Sequence, residues 1–581
     1  MYKRCLVFLL FICSTVFAQE ALKSIEEEYY DFLSLQGIVE RPTLGYRTLS
    51  DSKWDFIDKE ELIQNQDGIF SKVTINGKKS AQNIWENNNL GSTWTLWQKS
   101  NAPQNWFTKG INQDLKLKIY GPEWFNSFNT AAPYGQNDGA LWQGRGYNTS
   151  LTAGVRLEAF GFEVTIKPQV SFMQNLEFEY LTGVNGSDYS YFVSGIDYVQ
   201  RYGDSPFWTY DWGDTEIRWT WYNFTIGFGT QNPWLGLSYL NPMLGSNNAA
   251  SYPKFDIGLR KTRIVLPGLK WYIGDIEART WIGMIKESDY ITDSNNPSKI
   301  NMLHGINANF SPSVIPGFTI GFSRILINRW TPEHILDQFR LFTLDQKNNI
   351  GSSNEDAEDQ KFSLYADWLF TKVGFEIYGE LGIDDFTSDK AANPFHTGIY
   401  TIGVKQKIPL PLEKLNSSIP QNLIQSELIL EWNNFEMSQD FQLQWPYGGY
   451  YFHGAIKQSY TNKGQILGAG SGQMGNSQFI AYKVYYPKGN ITLFFQRECP
   501  DNNYIYNMAV RADASYPSST WEKYYAKYQT NSNFGLSWLQ YWGTSFNTQT
   551  GIVLQHTHNL MYNGEKSRTN VHIEFSCKYE L

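Results

Sequence analysis

From Tyr147 to Phe172 the side chains alternate in character with a period of two, and this narrows what the chain can become more than any other feature. Tyr147, Thr149, Leu151, Ala153, Val155, Leu157 and Ala159 form one set; Asn148, Ser150, Thr152, Gly154, Arg156 and Glu158 lie between them. After Phe160-Gly161 the frame inverts. Phe162, Val164, Ile166, Pro168, Val170 and Phe172 become the apolar set against Glu163, Thr165, Lys167, Gln169 and Ser171. Successive strand side chains point to opposite faces, so each half predicts a strand with one oily and one polar face. Joined by a tight turn, the two predict an antiparallel hairpin. Each strand outruns the ~5–6 residues usual in globular proteins. About 9–11 residues, apolar outward and polar inward, is what a membrane-spanning barrel requires. A long hairpin in a soluble sandwich satisfies the same pattern, so this stretch alone leaves both open.

The same period returns along the chain, in Leu115-Leu117-Ile119, Phe224-Ile226-Phe228, Ile276 to Met284, Phe362 to Phe370, Val373 to Leu381 and Leu428 to Trp432. About twenty candidate strands result, within the 8–26 range of bacterial barrels. Polar or Gly/Asn-rich loops separate them, the longest from Asn328 to Lys361 with an acidic run at Asn354 to Asp359. The last strand runs to the chain end: Val571, Ile573, Phe575, Cys577, Tyr579 and Leu581 alternate with His572, Glu574, Ser576, Lys578 and Glu580. An outer-membrane barrel ends this way, and its insertion machinery reads that end. The 21 Trp and 37 Tyr suit aromatic girdles at two lipid interfaces, although a carbohydrate-active sandwich is also rich in exposed rings.

Lys3 and Arg4, an apolar run from Cys5 to Ile12 and Val16-Phe17-Ala18 predict a secretory signal peptide over 1–18. Its removal takes the formal charge from −9 to −11, because Lys3 and Arg4 leave. No basic stripe is visible, which speaks against nucleic acid. Cys499 and Cys577 then remain, more consistent with two free thiols than with a disulfide scaffold. No stretch approaches the ~18 apolar residues of a spanning helix, so membrane entry requires strands. Residues 19–112 have a different character from the rest of the chain. Leu22, Ile25, Tyr29, Phe32 and Leu33 recur at helical spacing with Glu26, Glu27 and Glu28 outside the stripe, and shorter helices are expected at Asp58–Gln64 and Ser80–Glu86. This predicts a small, partly helical periplasmic cap or plug before a barrel over 113–581.

Catalytic signatures are absent from the sequence. There is no His-Glu-x-x-His, no spaced Cys/His cluster and no Gly-x-Ser-x-Gly, so neither a metal nor a cofactor is expected. Gly470-Ser471-Gly472-Gln473-Met474-Gly475 has the spacing of a nucleotide loop but no strand-to-helix context, and is expected to be an ordinary loop. Abundant carboxylates leave a glycosidase pair open. Binding signals are stronger. Asn137 to Gly146 sets Trp142 among Asn137, Asp138, Gln143 and Arg145. An aromatic platform with planar hydrogen-bonding neighbours suits a sugar, which has an apolar face and a hydroxyl rim. Trp234 with Asn247 and Asn248 forms a second group, and Tyr450 to Gly454 with Tyr460 a third. The alternative for each is structural: Gly for turns, Trp for a girdle, Arg for an interior charge ladder.

These segments resemble the outer-membrane capsule-assembly proteins of the Wzi type. The likeness rests on Phe32 to Gly37, Arg41-Pro42-Thr43, Leu49-Ser50-Asp51, Asn137 to Gly146 and Asn232 to Leu235. It continues through Gly245 to Ala249, Gly321-Phe322-Ser323-Arg324, His453-Gly454, Tyr460 and Gly464 to Gly468. It implies an all-β fold: an antiparallel transmembrane barrel of about 18 strands with an N-terminal helical part on the periplasmic side. It also implies lectin-like binding of exported capsular polysaccharide without catalysis. The sequence therefore predicts a monomeric outer-membrane protein that contacts lipid and insertion machinery and anchors capsular polysaccharide or exopolysaccharide. Asn137, Asp138, Trp142, Gln143, Arg145, Trp234, Asn247, Asn248, Arg324 and Tyr460 are its candidate contacts. A porin-like channel or transporter and a surface glycan hydrolase are the rivals.

Overall fold

The computed structural model describes residues 24–64, 70–82, 84–85, 95–181, 189, 197–291, 293–343, 357–384, 398–410, 424–436, 449–472, 474–501 and 528–579. The expected signal peptide, Asn354 to Asp356 and the terminal Glu580-Leu581 lie outside them.

Among the described residues, eighteen antiparallel strands form one closed sheet. They are β1 (Leu115–Asn129), β2 (Gly146–Ala159), β3 (Phe162–Ile166 and Gln169–Met173), β4 (Phe207–Asp211 and Glu216–Trp221), β5 (Phe224–Gly229) and β6 (Lys254–Leu266). Next come β7 (Trp271–Lys286), β8 (Ile300–Pro312), β9 (Phe318–Arg329), β10 (Glu358–Phe370), β11 (Phe375–Asp384) and β12 (Gly398–Ile408). The last six are β13 (Gln425–Asn434), β14 (Asn476–Tyr486), β15 (Gly489–Cys499), β16 (Thr530–Tyr541), β17 (Phe546–His558) and β18 (Ser567–Tyr579). His572–Lys578 of β18 pairs with Glu123–Asn129 of β1 and closes the ring, as a sheet in lipid requires.

The hairpin forms where the alternation predicts, turning at Phe160-Gly161, with the second strand interrupted at Lys167-Pro168. Its faces settle barrel against sandwich. Val155 and Leu157 are 38% and 48% exposed, whereas Asn148 and Arg156 of the alternate set are 0% and 5% exposed. A soluble sandwich buries the oily set; here it faces outward and the polar set lines the interior. The final strand repeats this, with Ile573, Phe575 and Tyr579 outward and His572 and Lys578 inward. Exposed rings gather at both rims: Tyr147, Trp208, Tyr400 and Trp432 at the end with the long loops, Trp271, Trp368, Trp542 and Tyr579 at the end with the short turns.

The lumen is occupied. Helix α1 (Ile25–Leu35), capped by Ser24, and the chain as far as Trp54 lie inside the barrel at the short-turn end. Glu26, Glu27 and Glu28, which lie outside the apolar stripe, all find partners. Glu26 pairs with Lys578 of β18 at 2.9 Å, Glu27 accepts from the Trp54 indole, and Glu28 pairs with Lys483 of β14 at 2.5 Å. Asp31 meets Lys405 of β12, and Arg41 binds Glu376 of β11 through two nitrogens at 2.7 and 2.8 Å. From the other end the 230–253 loop descends to meet this segment: Trp234-Leu235 pairs with Tyr46-Arg47, and the Tyr239 hydroxyl donates to Glu28.

Other expectations are corrected. Lys59–Gln64 is a strand paired with Phe70–Ile75, not a helix. Ile63, Val73, Thr74 and Ile75 are β-branched, and a short apolar run does not by itself separate helix from strand. The next helix is Gly77–Gln82 rather than Ser80–Glu86. The stretch Asn328 to Lys361 is not all loop: β9 runs to Arg329, Pro332–Phe342 forms 3-10 turns, and β10 resumes at Glu358. Cys499 and Cys577 are free thiols, as the sequence suggested.

Candidate functional site

The long loops lock onto one another through amide side chains and peptide groups. Asn137 and Gly139 both take positive φ, a conformation open to Asn and Gly, and so bend 137–139 against the 230–253 loop. Asn137 Nδ2 donates to the Leu240 carbonyl at 3.1 Å, and Gly139 N donates to the Asn247 carbonyl at 2.6 Å. Asn248 Nδ2 donates to the Ile466 carbonyl, and Gln465 Nε2 returns to the Gly139 carbonyl. Val199 N donates to the Gly464 carbonyl, tying in a fourth segment.

Between these segments and the upper barrel wall lies a cavity of about 350 Å³. Trp142 lines it, its ring 5.2 Å from Tyr202, 6.3 Å from Phe207 and 6.4 Å from Phe178. Tyr134, Tyr180 and Tyr198 add further rings, and Gln143, Gln200, Asn248, Gln465, Gln496, Asn531 and Gln555 bring amides. Asp138, Glu179, Glu498 and Asp501 supply carboxyls, with Arg568 among them. Burial pushes the Asp138 carboxyl up to about 7, against a hydrogen bond from Gln143 and the field of His572. Burial also raises the Tyr134 phenol, which the nearby Glu498 carboxylate reinforces. Among the described residues Gln143 Oε1, although buried, has no hydrogen-bond partner. A buried acceptor left so is costly, and a ligand hydroxyl is suited to satisfy it. Gly470, Ser471 and Gly472 of the glycine pattern border the cavity as loop.

The structure thus brings Asp138, Trp142, Gln143 and Asn248 to one cavity. The other predicted residues stand elsewhere. Asn137 and Asn247 are buried in the loop joints described above. Arg145 Nε donates to the Thr130 carbonyl at 3.1 Å and its guanidinium reaches the Glu177 carbonyl. Trp234 is 0% exposed, its indole donating to the Ser238 carbonyl at 3.0 Å. Tyr460 is buried, its hydroxyl donating to the Leu244 carbonyl at 2.6 Å. Arg324 sits on β9 bound to carbonyls of 340–343 and does not reach the cavity. The wall residues Gln496, Glu498, Asn531, Gln555 and Arg568 were not among the contacts predicted from the sequence. For Gln496, Glu498 and Gln555, the inward phase of β15 and β17 near the loop rim was the available signal.

A second cavity, of about 360 Å³, opens at the short-turn end. There Arg260 holds Asp51 and Glu163 at 2.8 Å each, Arg279 meets Asp51 at 3.1 Å, and Lys53 meets Glu163 at 2.6 Å. Burial pushes the Asp51 carboxyl up, but the Arg279 and Arg260 guanidiniums outweigh it and hold the group well below the usual carboxylate range. No cluster of ligating side chains suited to a metal occurs among the described residues.

In overall shape the barrel is similar to Wzi, an outer membrane protein involved in group 1 capsule assembly in Escherichia coli and described as a carbohydrate binding β-barrel. Identity is 13% and the TM-score 0.50, over 80% of this chain and 85% of that one. OprD from Pseudomonas aeruginosa aligns at 8% identity and a TM-score of 0.35, over 80% and 92% of the two chains. OccAB1 of Acinetobacter baumannii aligns at 10% and 0.30, over 80% and 97%. No curated protein matches the chain in sequence. The sequence profile of the family described as capsule assembly protein Wzi matches residues 209–570, more than half of the chain, starting after the 137–146 stretch. The chain belongs to the capsule assembly protein Wzi family.

Proposed function

We propose that this protein is a non-enzymatic, lectin-like barrel of the outer membrane that binds capsular polysaccharide or exopolysaccharide at its loop end and anchors it to the cell surface. The observation that carries this reading is the loop-end cavity, where an indole platform, several amides and several carboxyls face one space. Trp142 offers a ring to the CH face of a sugar, and Asp138, Gln143 and Asn248 address its hydroxyls. Asn137, Arg145, Asn247, Trp234 and Tyr460 shape the loops that carry these groups. A repeating polymer meets such a site many times, so modest contacts sum to firm retention. Family membership and the likeness to a carbohydrate-binding barrel support the reading. An occupied lumen suits retention better than conduction, and ions are expected not to flow through the purified protein in planar bilayers. The N-terminal segment then faces the periplasm, insertion machinery reads the β18 end, and the barrel works as a monomer.

Deleting the gene tests this. Polymer synthesis is expected to continue while polymer moves from the cells into the medium; unchanged cell-bound polymer contradicts the proposal. Incubating purified protein with the polymer is expected to leave its chain length unaltered, and shortened chains would favour a hydrolase.

A further inference from the structure

The outer wall of β7–β10 carries polar groups where its neighbours are apolar. Thr280, Ile306, Arg324, Phe362 and Ile383 stand in one cross-strand row. Arg324 is in phase with Ile320 and Phe322, on the face that also shows Leu364 and Trp368, and out of phase with the inward Ser323. It is therefore an arginine on the lipid side of the barrel, yet it is only 4% exposed.

What covers it is the chain just after β9. Pro332–Phe342 folds back along the outside of the wall. Arg324 donates to the Arg340 carbonyl at 3.1 Å and to Gln360 Oε1 at 2.8 Å. His304 Nδ1 meets Gln338 Oε1 at 2.9 Å, and Asn328 Nδ2 donates to Asp337 at 2.9 Å. Arg340 binds Glu358 at the start of β10, and Leu341 packs on Ile306 and Leu326. Asp337, Gln338 and Arg340 of this strap are thus consumed by the wall, while Glu333 at its start stays exposed. Its other side presents Ile335, Leu336, Phe339 and Phe342, with Leu336 and Phe339 69% and 68% exposed.

We propose that this strap is a membrane-embedded part of the wall, its apolar face occupied by lipid acyl chains at the loop-end side of the bilayer. The occupant is identified by continuity. The strap lies over a row whose other members are Thr280, Ile306, Phe362 and Ile383, and its oily side chains extend the surface made by Ile320, Leu364 and Trp368. An uncovered guanidinium in that row would meet hydrocarbon at high cost. The strap removes that cost and restores an apolar surface. The inference needs a membrane-inserted barrel but not glycan binding.

Nitroxide labels test it in the full-length protein carrying Cys499→Ser and Cys577→Ser, reconstituted in phosphatidylcholine liposomes. Single cysteines are placed by Leu336→Cys, Phe339→Cys and, as an alternative should one variant fold poorly, Ile335→Cys. Leu364→Cys serves as the lipid control and Asp289→Cys as the water control. Power saturation with oxygen and a water-soluble nickel chelate reads the surroundings. Strap labels are expected to match 364, relaxed several-fold more by oxygen than by nickel. Strap labels matching 289 would overturn the proposal, as would labels shielded from both agents, which would mean a protein partner or a second copy covers the face. If 364 itself reports water, the membrane barrel fails and the strap proposal with it.

Discussion

The two ends of the lumen enclose cavities of nearly equal size, about 360 and 350 Å³, built from opposite chemistry. At the short-turn end Asp51, Glu163, Arg260, Arg279 and Lys53 form a lattice of ion pairs at 2.6–3.1 Å, and the Asp51 carboxyl is held strongly ionised. At the loop end rings and amides predominate, and the Asp138 carboxyl is pushed up to about 7 by burial. Volume does not distinguish them; the groups that line them do, paired charges at one end and rings with amides at the other. A group already matched to a countercharge holds the N-terminal segment in place and has little left for a ligand. Gln143 Oε1, unmatched among the described residues beside an indole, is suited to meet a sugar.

This contrast predicts variants that separate stability from binding. The largest effect belongs to Arg41→Ala, which strips Asp31, Asp367 and Glu376 of their shared guanidinium. Removing one partner of a buried ion network costs about 3–5 kcal/mol. Urea unfolding in detergent is expected to show that loss, while the folded fraction binds polysaccharide as before; lost binding at unchanged stability would erase the contrast.

Next comes Trp142→Ala, expected to weaken polysaccharide affinity by about tenfold, ~1.4 kcal/mol. Titration calorimetry with purified polymer reads this, and an unchanged affinity would move the site away from the loop cavity. A smaller change is expected from Trp234→Phe, which deletes the buried bond to the Ser238 carbonyl and costs about 1 kcal/mol of stability. Its affinity should match the wild type, because this indole does not reach the cavity.

A further effect, read as a slope rather than a single loss, concerns pH. Asp138 has a folded-state pKa raised from 3.8 to about 7, so its neutral form is the one the fold favours. Its stabilising contribution is complete below the unfolded value and is lost as pH rises through about 7. Denaturation midpoints should therefore fall between about pH 4 and 7, and Asp138→Asn should flatten that slope. An identical slope in the variant would show that other groups set it.

The alternation between Tyr147 and Phe172 made the strand faces legible because one side of each strand meets oil and the other meets polar groups. It carried no record of what packs on the polar side. Glu26 to Glu28 therefore read only as residues outside the apolar stripe, with no sign of Lys578, Lys483 and the Trp54 indole that meet them inside the lumen. Arg324 shows the same limit from outside. Its phase with Phe322 places it on the outer face, where an interior charge ladder is impossible, but its cover at Pro332–Phe342 reads as ordinary loop. In the candidate site, Asp138, Trp142 and Gln143 were legible because they fall together in one short segment. Gln496, Asn531 and Gln555 were not, because three different strands bring them together.

The central claim is that polysaccharide is held at the loop end. Surface plasmon resonance of the native capsular or exopolysaccharide over immobilised protein in detergent tests it most directly, with wild type, Arg41→Ala and a Trp142→Ala/Asn248→Ala double variant side by side. Saturable binding by wild type and by folded Arg41→Ala, with at least tenfold weaker binding by the double variant, is the predicted result. No binding by wild type, or equal binding by all three, would contradict the account.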